Sequence, residues 1–292
     1  MKDMKRFVFA LAVLLVLTGC NQTGITIPIM EGSGTESDPY LVTNEQQLRL
    51  VGKDPQNGFT LSAHYKQTGD IVLTPPAQGQ GNWKRIGESG HAGQANANPY
   101  LPAGYFSGTY DGGGFTVSNF KYYETITFSG GTSNFSGHGM FGAVGNGGAV
   151  KNLTLTGELD IDYIIAQGAA NGQIRNVGGV VGFLDGGTIE NVTFIGRIKA
   201  GDEDSSTFAD YGNNGRRVGS RIGGVVGYIF AGSSPNDTGV GLPGRVLNCR
   251  FEGTIIAYLQ VGGVVGSAEN DTTIPPRGNE IKGCSYNPGP ED

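Results

Sequence analysis

The chain has 292 residues, 52 of them glycine, and a formal net charge of −6 at pH 7. An acidic balance without a clustered basic stripe argues against nucleic acid as a partner, because phosphate backbones repel such a surface. The glycine content far exceeds the roughly 7% of ordinary proteins, and the glycines lack the three-residue period of collagen. The composition therefore predicts very many tight turns.

The first residues have the parts of a bacterial export signal. A basic head, formed by Lys2, Lys5 and Arg6, precedes an uninterrupted apolar run over residues 7–17. As a helix this run would be about 16 Å long, roughly half the thickness of a bilayer core. It therefore predicts a processed signal peptide over residues 1–19 rather than a stable anchor.

The apolar run ends in Leu17-Thr18-Gly19-Cys20, which resembles the lipobox of bacterial lipoproteins. The resemblance implies cleavage after Gly19, with Cys20 as the first mature residue and the carrier of three acyl chains. Three chains hold a protein on a membrane essentially permanently, since each buried methylene adds about 0.8 kcal/mol. We therefore expect a lipid anchor in the bacterial outer membrane, with the extracellular or periplasmic face left open. The alternative is a plain secretion signal with an incidental cysteine.

A short helix is expected near the start of the mature chain. Asn44 suits an N-cap, and Gln47 stands three residues later, where its side chain suits the first turn. This helix would cover the open end of the structure that the later repeats predict.

Two short elements recur over residues 139–286. The first is a glycine-flanked apolar pair with spacings of 40, 45 and 39 residues: Gly139–Gly142, Gly179–Gly182, Gly224–Gly227 and Gly263–Gly266. The second begins with Asn, or with Gly in the degenerate last copy: Asn152–Gly157, Asn191–Gly196, Asn248–Gly253 and Gly283–Tyr286. Such periods are typical of arrays in which neighbouring copies bury each other's apolar faces.

Copies of the second element alternate between apolar and polar positions. Leu155, Phe194 and Phe251 align in one apolar column, which predicts half-buried strands with this column inside. The leading Asn of each copy, and Gly283 in the last, tolerate a left-handed backbone and predict a corner.

These features predict an all-β fold: a right-handed parallel β-helix with a short N-terminal capping helix and long insertions, among them residues 200–222 and 228–246. The usual crossover rule supplies the handedness. A β-propeller and a β-sandwich are the alternatives. Few strands in each unit, and insertions that leave the columns intact, favour the β-helix.

Cys249 and Cys284 align in the column that holds Leu153 and Val192. Neighbouring strands would place their Cα atoms about 4.8 Å apart, which a disulfide accepts. Side chains stacked in register point the same way, however, and this makes the required torsion of about 90° harder to reach. The prediction is two reduced thiols packed as hydrophobic side chains.

Four short sequence segments precede the repeats, at residues 38–48, 69–73, 82–87 and 106–117. Together with the later Gly-Gly-Val-Val-Gly units they resemble the GLUG-motif proteins of bacterial surfaces. They are also similar to the β-helical region at the N-terminal side of secreted IgA-cleaving metallopeptidases. The resemblance implies a scaffold shared by adhesins, peptidase accessory regions and envelope lipoproteins. Peptidase activity does not carry over, because the sequence contains no His-Glu-x-x-His.

The predicted organisation has four parts. They are the signal peptide 1–19, a lipidated linker 20–35, one β-helix domain 36–286 with GLUG-like repeats at about 139–286, and a C-terminal tail 287–292.

Residues that could bind a metal are scattered. His64, His91 and His138 are separated by 27 and 47 residues, outside any metal-ligand spacing, and are interpreted as loop or surface residues. The acidic run at residues 202–204 lacks the alternating geometry of a calcium loop. No metal and no cofactor are therefore expected.

Asp70 and Asp111 could be paired as the acid and base of a glycosidase. Their neighbours favour turn chemistry instead, since Asp70 precedes a predicted strand and Asp111 is followed by two glycines. No catalytic residue is predicted, and the chain is expected not to be an enzyme.

Aromatic residues among polar ones are the remaining candidates for binding. They are Tyr100, Tyr105, Tyr122, Tyr123, Phe208 and Tyr211. Insertions on a rigid solenoid are common places for binding groups, although these side chains could equally fold back over the coil.

The leading hypothesis is a non-enzymatic binding or adhesion module of the cell envelope, with a glycan or protein ligand. One alternative is a polysaccharide-active β-helix enzyme, a lyase or glycosidase. It would bring three or more of Asp, Glu, Arg or Lys within hydrogen-bond reach in a groove. The other alternative is a purely structural envelope lipoprotein.

Overall fold

The structure is a computed structural model that describes residues 29–88, 104–128, 137–145, 147–165, 175–201, 220–230, 242–257, 260–268 and 278–289. The helices are α1 (Glu45–Leu50) and a 3-10 helix at Pro55–Asn57. The strands are β1 (Tyr40–Val42), β2 (Tyr65–Gln67), β3 (Ile71–Val72), β4 (Thr109–Asp111), β5 (Thr116–Phe128), β6 (Gly137–His138), β7 (Phe141–Gly145), β8 (Ala149–Ile165), β9 (Arg175–Gly178), β10 (Val181–Asp185), β11 (Thr188–Ala200), β12 (Ser220–Gly223), β13 (Val226–Phe230), β14 (Arg245–Leu247), β15 (Arg250–Ala257), β16 (Val261–Gly262), β17 (Val265–Ala268), β18 (Glu280–Lys282) and β19 (Ser285–Pro288).

The named strands pair only in parallel, and they form three sheets. The large sheet has eleven strands: β1 to β5, β8, β11, β14, β15, β18 and β19. The second sheet has the order β17-β13-β10-β7, and the third has the order β16-β12-β9-β6. Each repeat therefore adds one neighbouring strand to the second and third sheets, so the repeat in sequence is also a repeat in space. This arrangement confirms the all-β class.

The asparagines at the head of the second element form the predicted corners. Asn152, Asn191 and Asn248 have φ of 52°, 53° and 52°, and Gly283 continues the series with φ of 67°. Asn191 Nδ2 donates to Asn152 Oδ1 at 3.1 Å, and Asn248 Nδ2 donates to Asn191 Oδ1 at 3.3 Å. The corner residue therefore accepts the left-handed backbone and also links successive repeats.

The predicted apolar column is confirmed. Leu155, Phe194 and Phe251 are in register on β8, β11 and β15, and each is 0% exposed. The Phe194 and Phe251 rings stack with centroids 5.8 Å apart, and the Phe251 and Tyr286 rings stack at 5.4 Å. Tyr286, the last ring of the column, is 47% exposed. The column is therefore covered everywhere except at its final member.

The glycine-flanked pairs make room for this column. A Cβ on Gly179 would lie 2.3 Å from Phe194 Cδ1, and one on Gly224 would lie 2.2 Å from Phe251 Cγ. Real Cβ atoms do not approach other atoms so closely. At Gly179 and Gly224 the first element must therefore begin with glycine, because the aromatic ring of the second element packs against that position.

The short N-terminal helix is also confirmed. Asn44 caps α1 by accepting from Gln47 N at 3.0 Å, while Gln47 Oε1 accepts from Thr43 N at 2.8 Å. Leu48 on the same helix is fully buried in the core. In the described parts of the chain no helix is both long and apolar enough to span a bilayer.

Cys249 and Cys284 are free thiols in the structure. Cys249 is buried, and burial raises the pKa of its thiol to about 12, so the reactive thiolate is scarce at neutral pH. Cys284 is half-buried. We expect alkylation of the unfolded protein, followed by mass spectrometry, to modify both cysteines without prior reduction. A cross-linked peptide containing both residues would contradict this expectation.

Candidate functional site

A group of ionisable side chains lies in the core near the N-terminal side of the repeats. This polar cluster consists of Arg85, Glu88, Tyr122, Glu124 and His138. Four of its members are buried, and Glu124 is half-buried. Buried charges need partners, because an unpaired ion in the interior is strongly destabilising.

The register shows why the cluster faces the core. Tyr122 and Glu124 of β5 pair with Leu159 and Ile161 of β8, and both partners are fully buried. Neighbouring side chains in register point to the same face of a sheet. Tyr122 and Glu124 therefore occupy, at the start of the array, columns that are apolar in the next repeat.

His138 reaches the core because the first repeat has a shorter turn. His138 pairs with Val177, and Phe141 pairs with Val181. Two residues lie between His138 and Phe141 in the first repeat, whereas three lie between Val177 and Val181 in the second. Alignment on the glycine-flanked pair alone would place His138 opposite Gly178. A slip of one residue exchanges the two faces of a strand. The interpretation of His138 as a loop or surface residue is wrong, since it is 2% exposed.

Arg85 is the centre of the hydrogen-bond network. Its Nη1 donates to Glu124 Oε2 at 3.1 Å and to the Tyr122 hydroxyl at 3.0 Å, while its Nη2 forms an ion pair with Glu88. The Tyr122 hydroxyl donates to Glu124, and Glu124 Oε2 lies 3.0 Å from His138 Nδ1. One guanidinium thus balances two carboxylates, and an imidazole and a phenol complete the network.

The surroundings shift the pKa values of the cluster in definite directions. Burial alone would raise the pKa of Glu124, but His138, Arg85 and the Tyr122 hydroxyl lower it well below its usual range. Burial lowers the pKa of His138; Glu124 acts against this shift, and the charges of Arg85 and Arg175 add to it. Glu124 is therefore ionised at neutral pH, and His138 is neutral.

The charge state of Glu124 fixes the tautomer of His138. A carboxylate only accepts hydrogen bonds, so Nδ1 of the neutral imidazole carries the proton that it donates to Glu124. The other nitrogen, Nε2, then presents a lone pair. This atom is buried and has no hydrogen-bond partner among the described residues.

An enzyme was expected to bring three or more of Asp, Glu, Arg or Lys within hydrogen-bond reach in a groove, and the polar cluster meets only the first part of this criterion. Arg85, Glu88 and Glu124 lie within hydrogen-bond reach of one another through Arg85, but their side chains are only 8%, 11% and 34% exposed. They are thus packed together in the interior rather than arranged along an open groove. Within the described ranges, no three His, Cys, Asp or Glu residues are grouped closely enough to hold a metal ion.

The cluster predicts that the protein loses stability in acid. Because the folded pKa of His138 is below its unfolded value of about 6.5, the unfolded chain gains protons first as pH falls through that value. Glu124 has a lowered folded pKa, so its contribution to the free energy of unfolding is present above its unfolded pKa of about 4.3 and is lost at lower pH. We expect the urea midpoint to fall between about pH 7.5 and pH 5.5, and His138→Leu to remove most of that change. An identical wild-type midpoint at both pH values would contradict the assignment.

The predicted aromatic candidates are separated in the structure. Tyr122 lies within β5 and is buried in the polar cluster, so its expected place on a projecting insertion is wrong. Tyr123 is on the outer face of the same strand, where its hydroxyl donates to Asp162 at 3.1 Å. Tyr105 is half-buried and stacks on Phe183 with ring centroids 6.2 Å apart. Cys20, His91, Tyr100, Phe208, Tyr211 and the acidic run 202–204 lie outside the described residues.

Asp111 stabilises a backbone turn and Asp70 directly precedes β3, as expected. Asp111 Oδ1 accepts from Gly113 N at 3.0 Å, two residues along the chain. Asp70 Oδ1 accepts from Thr116 N at 2.8 Å at the start of β5. Both carboxylates therefore satisfy backbone donors within the scaffold.

Three connections between described strands begin and end at neighbouring places. They join β5 to β6, β8 to β9 and β11 to β12, and they contain residues 129–136, 166–174 and 202–219. Strands β5, β8 and β11 are adjacent in the large sheet, and β6, β9 and β12 are adjacent in the third. The ends of β5, β8 and β11 and the starts of β6, β9 and β12 therefore follow one another along the scaffold, and we call this row of strand ends the insertion edge.

Family models identify two features of the chain. The GLUG motif matches residues 174–199, which contain both Gly179 and Phe194. A prokaryotic membrane lipoprotein lipid attachment site matches residues 4–21. The chain carries the GLUG motif and a lipoprotein-type lipid attachment site. The match spans the packing of glycine against aromatic ring described above, so the GLUG motif here encodes a step of the scaffold.

Two relatives share sequence with this GLUG-motif chain. Halomucin of Haloquadratum walsbyi is 33% identical over 195 residues, which cover 66% of this chain and 2% of halomucin. A proposed Gly-rich membrane protein of Evansella cellulosilytica is 30% identical over 168 residues, which cover 56% of this chain and 15% of that protein. The chain thus spans only a small part of either relative.

One solved structure also resembles the chain. It is a proposed immunoglobulin A1 protease from Bacteroides ovatus, 16% identical, with a TM-score of 0.41. The alignment covers 88% of this chain and 68% of the other.

Proposed function

We propose that the protein is a non-enzymatic binding or adhesion module, anchored to the bacterial outer membrane through Cys20. Its scaffold is a right-handed parallel β-helix, in which the three parallel sheets are the sides of each coil and the usual crossover rule sets the hand. The lipid attachment site and the Gly-rich membrane relative support a place in the cell envelope.

The insertion edge is the observation that carries the binding proposal. The strands that flank three long connections are adjacent in the scaffold, and the asparagine corners and the aromatic column hold them in register. Loops on a rigid framework are the usual location of binding groups, because they vary without disturbing the core. Because the flanking strand ends are neighbours, we infer that several repeats contribute to one binding surface.

Removing one of these connections tests the proposal. We expect the full-length lipoprotein to bind on arrays of glycans and extracellular-matrix proteins, and replacement of residues 202–219 with a short Gly-Ser linker to abolish or strongly weaken that binding. The matched control replaces residues 269–277, which join β17 of the second sheet to β18 of the large sheet, whereas the connections at the insertion edge join the large sheet to the third. Equal losses in both variants, or no binding by the wild type, would refute the proposal.

The anchor is tested by Cys20→Ala. Without acyl chains only the short apolar run remains, which is too brief to span a bilayer. We expect this variant to move from the membrane fraction to the soluble fraction of cells. Membrane fractionation equal to that of the wild type would mean that Cys20 is not the anchor.

A polysaccharide-active enzyme is the second candidate, and the polar cluster is the observation that favours it. Glu124 orients His138, whose Nε2 lone pair has the character of a general base, and Arg85 balances the charge. The test measures new reducing ends after incubation of the lipoprotein with a panel of polysaccharides. Product formed by the wild type and lost in Glu124→Gln would overturn the non-enzymatic assignment. Absence of product from every substrate would count against the enzyme.

A further inference from the structure

The last described coil leaves its interior accessible. It consists of β16, β17, β18 and β19, which are the final strands of the three sheets. Three apolar columns end there with side chains that are 49%, 48% and 47% exposed: Val261, Ile281 and Tyr286. The preceding members of the same columns are each 0% exposed: Ile222, Val246 and Phe251. We call this face, formed by β16 to β19, the open end.

The opposite end of the stack is closed. Leu48 of α1 and its C-cap Val51 are both 0% exposed. The free edge of β1 is also occupied, because Leu41 N donates to the carbonyl oxygen of Glu31 at 2.7 Å. In contrast, no described strand pairs with the outer edge of β18 or β19. An unpaired strand edge is a template for another chain, so only the open end offers one.

The closed end restricts how copies of this chain can associate. A head-to-tail contact would need an unpaired edge at both ends of the stack, whereas a contact between two open ends uses the same surface twice. Such a contact has two-fold symmetry. Strands related by a two-fold axis perpendicular to them run antiparallel. Pro288 lacks an N–H and ends β19, so β18 has the more complete edge for pairing.

The charges of β18 are complementary to those of a second β18. Glu280 and Lys282 flank Ile281. When two such strands pair antiparallel about Ile281, each Glu280 lies opposite the partner's Lys282, and opposite charges in cross-strand positions are stabilising. Lys282 is exposed and forms no ion pair within the described ranges, whereas Glu280 already pairs with Arg245 at 2.9 Å. The pairing would therefore give Lys282 the counter-charge that its own chain does not supply.

We propose that the open end is an interaction surface for a second copy of this chain, with the two β18 strands antiparallel about Ile281. Covering the half-exposed column ends of both copies supplies the driving force, because each copy withdraws three large apolar side chains from water. The two Glu280–Lys282 pairs fix the register. This surface is separate from the insertion edge, so the inference does not depend on the proposed binding function.

Charge exchange tests the pairing in the full-length protein in detergent. Sedimentation velocity is expected to show a reversible dimer at micromolar concentrations. Lys282→Glu and Glu280→Lys each place like charges opposite one another at two positions, so each is expected to weaken the dimer about tenfold. An equimolar mixture of the two variants restores opposite charges at both positions and should recover the dimer. This recovery also shows that both variants fold.

The control for charge exchange is Lys66→Glu. Lys66 is exposed on β2, towards the closed end, and this variant makes the same change of charge as Lys282→Glu. Its dimer should equal that of the wild type.

A cysteine at position 281 tests the register. Residues directly opposite in an antiparallel pair have Cα atoms about 4.5–5.5 Å apart, a distance that a disulfide accepts. Ile281→Cys should therefore form a covalent dimer under mild oxidation, visible on a non-reducing gel. Ile195→Cys, at an exposed isoleucine of β11, and the wild type with its own Cys249 and Cys284 should remain monomeric on the same gel.

Four results would overturn the inference. The first is a wild-type protein that stays monomeric at every concentration, which would leave the open end to a different partner. The second and third are an unchanged dimer in both charge variants and a mixture that does not recover the dimer. The fourth is cross-linking of Ile195→Cys as efficient as that of Ile281→Cys.

Discussion

Gly196→Ala is expected to lower the free energy of unfolding by about 4 kcal/mol or more, among the largest effects of a single substitution. Gly157, Gly196 and Gly253 are neighbours in register, and each has a positive φ, of 155°, 155° and 141°. A Cβ on Gly196 would lie 1.8 Å from the carbonyl oxygen of Gly157. The oxygen belongs to the backbone and the added Cβ is fixed to its own Cα, so the clash is relieved only by separating two repeats.

Gly69→Ala is the control for this substitution. An added Cβ at Gly69 meets no atom within 4 Å, and its φ is not positive. Urea unfolding followed by circular dichroism should therefore give a midpoint for Gly69→Ala close to that of the wild type. A Gly196→Ala midpoint equally close to the wild type would show that the repeats are not packed as described.

Phe194→Ala is expected to lower the free energy of unfolding by about 3–5 kcal/mol, as for other large aromatic truncations in a core. Phe194 lies between Leu155 and Phe251 in the buried column, and Gly179 packs against its ring. Removing the ring leaves a cavity that the backbone cannot close, because neighbouring strands are fixed by their parallel hydrogen bonds. The loss should appear in both thermal and urea unfolding.

Tyr286→Ala provides the comparison within the same column. Tyr286 stacks on Phe251, but its other face is open, so its removal loses one aromatic contact worth about 1 kcal/mol. Stability effects of similar size in Phe194→Ala and Tyr286→Ala would contradict the burial gradient along the column.

The repeat, its corners and its buried column were accessible from the sequence because each depends on local rules. A left-handed corner requires Asn or Gly, and a half-buried strand alternates apolar and polar residues. Asn191, Phe194 and Gly283 all follow these rules in the structure. The need for glycine at position 179 was not accessible, since it arises from a ring fifteen residues away in sequence that approaches only in the folded chain.

The polar cluster was missed for two physical reasons. The first repeat has a turn shorter by one residue, which moves His138 to the other face relative to a simple alignment. Tyr122 was interpreted as part of a projecting insertion and Glu124 was not considered, and only the pairing of β5 with β8 shows that both face the core. The apolar columns that contain Leu159 and Ile161 continue to Tyr122 and Glu124 in the preceding strand. Aligning that strand with the repeats would have indicated that both side chains face the core.

We propose that a rigid stack of repeats presents its binding groups along the insertion edge. A structure of the full-length protein bound to a ligand found on the arrays tests this arrangement most directly. We expect the ligand to contact the connections 129–136, 166–174 or 202–219 or the adjoining strands β6, β9 and β12. A ligand bound instead to the outer face of the large sheet, for example around Ile195, would contradict it.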